Sequence, residues 1–76
     1  MTLVDAVPGI RYEIVAITGP ERGRISELGF NPGCEVTIYS KGFNEYKVVN
    51  CRGVKTGLGK NHLMNIIIAE IDDTRV

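Results

Sequence analysis

The sequence predicts a small, mainly β protein in which about five short strands form a strongly bent barrel. Segments rich in β-branched and aromatic residues recur at close spacing along the chain, which is typical of barrel strands. One short helix interrupts them after the first strand, and a helical turn precedes the last. The 76 residues are expected to form a single domain, 1–76, in which closure of the sheet protects its edges.

The end of the helix organises the chain. Ile25 and Leu28 are three residues apart and share one face of the helix. Gly29 suits the left-handed residue that ends a helix, and Phe30 then folds back over Ile25 in a Schellman-type cap. The sequence Asn31–Cys34 favours a type II turn, with proline and glycine in its central positions.

The other elements follow from hydrophobic pattern and turn residues. Thr18 and Glu21 have the spacing of a capping box at the start of the helix, although Gly19 is an alternative cap. A frayed tail is expected over 73–76. In chain order we predict a leading turn at 3–7, strands at 10–17, 35–40, 46–51 and 54–58, a helical turn at 59–65, and a closing strand at 66–72.

For two of these strands, the sequence does not settle which side chains point toward the core. In the first strand Ile14 points to one side, while Val15 and Ile17 point to the other. In the second arm of the hairpin, Val48 and Val49 lie on opposite faces, so the pattern alone does not fix the register.

Composition and charge exclude several classes of function. Nine basic and nine acidic residues cancel, so there is no basic surplus for nucleic acid and no polybasic segment for anionic lipid. An apolar run such as Ile66–Ala69 is far too short to cross a bilayer. Residues 1–5 lack the features of a signal peptide, so we expect a cytoplasmic protein with reduced cysteines.

No catalytic residues can be singled out, and we predict that the protein is not an enzyme. A chain of this length buries only ~60% of its unfolded surface, which leaves little room for an enclosed pocket. Gly57–Lys60 superficially resembles a phosphate-binding loop. Its spacing from Gly53 is wrong, however, and Asn61 occupies the position of the required hydroxyl.

Cys34, Cys51 and His62 are the candidate soft-metal ligands, although no pair of them has the spacing of a zinc motif. A hairpin turn centred between Gly42 and Phe43 would place the two cysteines opposite each other, close enough for a shared ligand or a disulfide. A register slip of one residue would separate them. The alternative is that the cysteines are small hydrophobes and the histidine is simply exposed.

The acidic C-terminal residues are candidate ligands for a hard cation. Glu70 and Asp72 would share one face of the closing strand, with Asp73 next to them. A solvated strand end explains the three carboxylates equally well.

The chain carries more large apolar side chains than so small a core is expected to absorb. These residues are Tyr39, Phe30, Phe43, Leu63 and Met64. An exposed apolar patch on a small domain marks a contact with a partner, whereas the alternative is that the same side chains close the ends of the barrel.

Several blocks of the sequence resemble the ferrous iron transport protein A (FeoA) family. The most specific is the Leu-Gly-Phe-x-Pro-Gly motif with an apolar residue three positions upstream, and the matching span runs from about Leu3 to Ile71. The blocks are Val7–Gly9, Ile25–Gly33, and Gly53–Val54 leading through Leu58 to Ile66–Ile68.

The resemblance implies an SH3-like β-barrel and an accessory protein of the Feo ferrous iron uptake system, without catalysis of its own. Such a protein supports the membrane permease FeoB by contacting its cytosolic GTPase region. Two features depart from the family: a short hairpin at Lys41–Glu45, and the glycines Gly57 and Gly59 where larger residues are expected. Both concern the surface that faces the partner more than the fold.

Two hypotheses of function follow. In the first, the domain is an interaction module for FeoB, with contact residues Leu28, Phe30, Phe43, Leu63 and Met64. In the second, it binds or senses Fe²⁺ or another transition metal through Cys34, Cys51, His62 or the acidic C-terminal residues. A related module forms the C-terminal domain of metal-dependent repressors. The sequence contains no winged-helix segment like that of the repressors, so we expect the free-standing accessory protein, which requires no cofactor. Oligomeric state and the docking face are left open.

Overall fold

The computed structural model describes residues 1–71, which form one five-stranded antiparallel sheet with two short helices. The elements are a 3₁₀ turn Leu3–Asp5, β1 Arg11–Ile17, α1 Arg22–Glu27, β2 Glu35–Lys41, β3 Glu45–Asn50, β4 Lys55–Gly59, α2 Lys60–Leu63 and β5 Ile66–Glu70. The strand order is β4-β3-β2-β1-β5. This confirms the predicted mainly β class, with its inserted helix and its helical turn before the last strand. Asp72, Asp73 and the predicted tail lie outside the described residues.

The end of α1 has the geometry that its sequence predicts. Phe30 N donates to Ile25 O at 3.3 Å and Gly29 N donates to Ser26 O at 3.0 Å, which together make a Schellman motif around Gly29 at φ +97°. The following turn closes through Cys34 N and the Asn31 carbonyl, at 3.0 Å. A helix of six residues thus ends in a fixed direction and delivers the chain into β2.

The start of α1 differs from the sequence prediction. Glu21 occupies the N-cap position, and its side chain makes no capping hydrogen bond. The Thr18 hydroxyl, predicted to cap the helix, instead donates to the Asn65 carbonyl at 3.3 Å. A hydrogen bond across the fold has therefore replaced a local one, and the helix depends on docking through buried Ile25.

A β-bulge in β1 settles which side chains face the core. The register with β5 shifts between Ile14, paired with Ile68, and Ala16, so that Ile17 pairs with Ile66. The extra residue is Val15, which is exposed, while Ile14 and Ile17 are both buried. The prediction that Ile17 shares a face with Val15 is wrong because the bulge resets the alternation.

A second bulge lies in β2. Val36 pairs with Asn50 near the open end of the β2–β3 hairpin, and the register shifts between Ile38 and Ser40. The extra residue is Tyr39, which is exposed. Bulges of this kind bend and twist a sheet, which lets five short strands wrap around one core.

The two edges of the sheet are covered in different ways. Residues at the N-terminus cover the edge of β5: Ile68 N donates to Met1 O at 2.8 Å, and Thr2 forms a bridge with Ile67. At the other edge, β4 runs directly into α2, which carries the chain across to β5. Within residues 1–71 the sheet is therefore closed by α2 and the N-terminus rather than by pairing of β4 with β5.

The core takes side chains from every strand and both helices. The Tyr12 hydroxyl reaches out of it to accept a hydrogen bond from Val7 N at 3.0 Å, so the ring is buried with its polar group satisfied. The core residues are Leu3, Ala6, Tyr12, Ile14, Ile17, Ile25, Phe30, Val36, Ile38, Tyr46, Val48, Leu58, Leu63, Ile66 and Ile68.

Candidate functional site

The five residues predicted to contact a partner are divided between the core and the surface. Phe30 and Leu63 have no exposed area, so their assignment to a contact surface is wrong. Phe30 is buried because the Schellman motif folds it back over Ile25, and Leu63 is the buried residue of α2. Both side chains hold the fold together.

Phe43 is the most exposed large apolar side chain in the described part of the chain, at 91%. It lies at the tip of the β2–β3 hairpin, where Gly42 N donates to Glu45 O at 2.9 Å and closes the turn. Just behind the tip, Lys41 Nζ lies 5.4 Å from the centre of the Tyr46 ring. A short closed turn therefore holds the Phe43 ring out in solvent.

Met64, which is 58% exposed, lies at the end of α2. Glu45, the first residue of β3, pairs with Gly59, the residue immediately before α2. The hairpin tip and α2 therefore belong to the same end of the sheet. Between α2 and the N-terminal turn runs an open groove of about 610 Å³, lined by Thr2, Val4, Asp5, Lys60, Asn61 and Met64.

Leu28 lies at the other end of β3. Its neighbour Gly29 is adjacent to the Asn50 side chain, and Asn50 is the last residue of β3, whereas the hairpin tip precedes Glu45 at the start of the strand. A strand of this length places its two ends about 17 Å apart. The predicted residues thus do not form one patch: Phe43 and Met64 are at one end and Leu28, 37% exposed, is at the other.

A second groove was not predicted from the sequence. It has a volume of about 480 Å³ and runs between α1 and the bulged part of β1. The bulge leaves Val15 exposed on the wall of this groove, and the residue pattern of a single strand does not reveal a bulge. The lining residues are Val15, Ala16, Ile17, Arg22, Gly23, Ser26, Asn31 and Pro32.

The thiols of Cys34 and Cys51 are adjacent. Cys34 is half-buried against the core just before β2, and Cys51 is exposed immediately after β3. A hydrogen bond with Cys34 is the main cause that raises the pKa of Cys51, and Arg52 opposes the rise. The structure thus brings together two of the three predicted soft ligands.

The third soft ligand, His62, is half-buried on α2 at the opposite end of β3 from the thiols. Across residues 1–71, no group of three or more His, Cys, Asp or Glu side chains is arranged to hold a metal ion. Of the predicted acidic ligands Glu70 is described, and Asp72 and Asp73 lie beyond the described residues.

The protein combines a bent five-stranded sheet, a Schellman motif that buries Phe30 and an exposed aromatic residue at a hairpin tip. A model of the FeoA domain family matches residues 1–70 of this sequence. The chain belongs to the FeoA domain family. This confirms the resemblance carried by Leu28–Gly33 and its upstream apolar partner.

Solved FeoA structures share the fold. A FeoA-like protein from Clostridium acetobutylicum aligns with a TM-score of 0.85 at 18% identity, over 100% of this chain and 92% of that one. The FeoA protein from Chlorobium tepidum gives 0.84 at 19% identity, over 99% and 74%. A crystal structure of an iron uptake regulatory protein (FeoA) gives 0.83 at 18% identity, over 93% and 96%. The SH3-like architecture expected from the sequence is consistent with these neighbours.

Membership of the FeoA family supports a role in the Feo iron uptake system. The family comprises small accessory proteins of iron transport and is not a known enzyme family. None of the curated proteins compared with the chain matches it. Within residues 1–71, neither helix has the length and apolar character needed to cross a membrane.

Proposed function

We propose that this FeoA-family protein is a cytoplasmic accessory component of ferrous iron uptake that binds the cytosolic GTPase region of the permease FeoB. It acts as an interaction module and carries out no catalysis. It neither binds nucleic acid nor inserts into the membrane. The observation that carries the proposal is Phe43, an aromatic ring held almost entirely in solvent at the tip of a closed hairpin.

An exposed phenylalanine at such a position does nothing for folding. Transfer of a phenylalanine side chain out of water contributes about 1.5–3 kcal/mol, and this gain is available only when another surface covers the ring. Aromatic residues are enriched at the buried centres of protein interfaces for this reason. The backbone hydrogen bond between Gly42 and Glu45 limits the motion of the tip, so little conformational entropy is lost on binding.

The α2 end of the sheet supplies a second contact. Met64 lines the groove beside the N-terminal turn, and an unbranched thioether side chain adapts well to an irregular partner surface. Because Phe43 and Met64 belong to the same end of the sheet, one partner can cover both. Leu28, at the opposite end, is a separate and weaker contact.

Co-purification tests the proposal. Detergent-solubilised FeoB from the same organism is passed over the immobilised protein, with and without a guanine nucleotide. We expect FeoB to be retained by the wild-type protein and lost with the double variant Phe43→Ala/Met64→Ala. Failure of the folded wild-type protein to retain FeoB in any nucleotide state would contradict the proposal.

A further inference from the structure

The strongest feature that the proposed function leaves unused is the pair of thiols at the open end of the β2–β3 hairpin. Val36 pairs with Asn50. Cys34 lies two residues before Val36, and Cys51 lies one residue after Asn50. The two thiols are within hydrogen-bonding distance of each other just past the open end of the hairpin. Disulfides join cysteines whose Cα atoms are roughly 4.4–6.8 Å apart, a range that neighbouring strands provide.

The register also explains why the sequence alone could not establish this contact. The hairpin turn is centred between Phe43 and Asn44, one position later than the arrangement that would put the cysteines opposite each other. The bulge at Tyr39 then shifts the pairing of β2 with β3 back by half of that difference. Cys34 and Cys51 are therefore diagonal neighbours and not directly opposite each other. Because both cysteines lie beyond the ends of their strands, the alternation of faces does not separate their side chains.

Backbone hydrogen bonds hold Cys34, and a side-chain hydrogen bond holds the turn that contains Cys51. Cys34 N donates to Asn31 O at 3.0 Å, and the Cys34 carbonyl accepts from Ile14 N at 2.9 Å. On the other side, the buried Asn50 holds the turn that contains Cys51, since its Oδ1 accepts from Arg52 N at 2.8 Å. Two thiols held next to each other in this way have a high effective concentration toward each other.

Solvent reaches one thiol of the pair more readily than the other. Cys51 is exposed and can be approached from solvent, while half-buried Cys34 packs against the core. A reagent in solution therefore meets Cys51 first, and Cys34 is in position to resolve whatever forms there. Exposure therefore gives Cys51 the attacking role and Cys34 the resolving role, while the raised pKa of Cys51 means that attack is fast only at alkaline pH.

We propose that Cys34 and Cys51 form a reversible dithiol–disulfide pair that exchanges with low-molecular-weight disulfides such as glutathione disulfide. The Cys51 thiolate attacks one sulfur of the reagent and releases one glutathione thiolate, which leaves a mixed disulfide on Cys51. The Cys34 thiolate then attacks the Cys51 sulfur and displaces the second glutathione. The two protons lost by the cysteines go to the two glutathione thiolates. The protein thiols lose two electrons and the reagent disulfide gains two.

The test is titration of the reduced protein with mixtures of reduced and oxidised glutathione, followed by acid quenching and mass spectrometry. We expect a monomer that has lost two hydrogens, retains no glutathione, yields a Cys34–Cys51 cross-linked peptide, and is restored by dithiothreitol. Accumulation of a protein–glutathione adduct at equilibrium, or of a disulfide-linked dimer, would overturn the proposal.

Two variants separate the roles of the thiols. Cys34→Ser lacks the resolving thiol and should accumulate the glutathione adduct on Cys51. Cys51→Ser should react several-fold more slowly, because the remaining thiol is half-buried. Equal rates in the two variants would contradict the order of attack. The wild-type measurement decides the existence of the pair even if a variant fails to fold, and none of these readouts involves FeoB.

Discussion

The side-chain amide of Asn50 lies against the backbone of Gly29, so that a Cβ atom on residue 29 would be only 2.9 Å from Asn50 Nδ2. This contact joins the end of α1 to the end of β3. Gly29 also adopts the left-handed backbone conformation that its place in the Schellman motif requires. Two independent constraints, one conformational and one steric, therefore fix glycine at the corner that turns the helix into the sheet.

Replacement of this glycine should destabilise the protein. We expect Gly29→Ala to lower the free energy of unfolding by about 1–3 kcal/mol, since an alanine is strained at positive φ and its Cβ displaces Asn50. The control is Gly23→Ala in α1, where the site is open and the backbone is not left-handed. That change should raise stability by about 0.5–1 kcal/mol. Urea denaturation measures both, and equal effects would contradict the assigned role of Gly29.

Asn50 should matter for a different reason. Its Oδ1 accepts hydrogen bonds from Arg52 N at 2.8 Å and Val54 N at 3.1 Å, so Asn50→Ala leaves two backbone donors without their partner. We expect a loss of about 1–3 kcal/mol. Asn44→Ala, in the exposed hairpin tip, should change stability by less than about 0.5 kcal/mol. Thermal unfolding followed by circular dichroism would compare the stabilities of the two variants. An Asn50→Ala variant as stable as the wild type would show that the turn after β3 does not depend on the Asn50 side chain.

The two phenylalanines should behave in opposite ways. Phe30→Ala removes a fully buried ring and should lower the free energy of unfolding by about 3–5 kcal/mol. Phe43→Ala removes a ring from solvent and should change it by less than about 0.5 kcal/mol. Chemical denaturation of the two variants checks the assignment of one residue to the core and the other to the surface. A large loss on truncating Phe43 would mean that the tip packs against the domain.

The thiol contact predicts a pH dependence. The hydrogen bond between Cys51 and Cys34 raises the pKa of Cys51 above the ordinary value of 9.0. The reactive thiolate of Cys51 therefore forms only at higher pH than in a free cysteine. Alkylation of Cys51 by iodoacetamide should therefore reach half its maximal rate above pH 9.0. In Cys34→Ala that midpoint should fall. An unchanged midpoint would show that the two thiols do not interact.

The corner of the fold could be predicted from sequence because each of its residues carries a local signal. Gly29 and Gly33 mark left-handed positions, and Pro32 presets the turn between them. These signals depend only on chain geometry within a few residues. The helix end, the turn and the start of β2 accordingly match the sequence prediction.

The bulges could not be predicted in this way. Val15 and Tyr39 are ordinary strand residues, and only the pairing with neighbouring strands shows that they are unpaired extras. The facing of Ile17 and the relation between Cys34 and Cys51 both depend on them. Register is a property of the assembled sheet. The residue pattern of a single strand therefore does not determine it.

The exposed contact residues could be predicted only in part. The sequence predicts Phe30 and Leu63 at the surface because so short a chain has a small core, but the bent sheet buries both side chains. Phe43 is exposed because it lies at a hairpin tip, which no neighbouring element covers. Whether a large side chain is buried depends on the three-dimensional path of the chain more than on its residue type.

Calorimetric titration of the purified FeoB cytosolic region with this protein tests the central claim most directly. We expect the wild-type protein to bind and Phe43→Ala to bind at least about tenfold more weakly, from the loss of about 1.5–3 kcal/mol of apolar burial. Val54→Ala, an exposed apolar residue beyond the far end of β3, should bind like the wild type. Equal affinity of the Phe43→Ala variant and the wild type would contradict the assignment of the hairpin tip as the docking site.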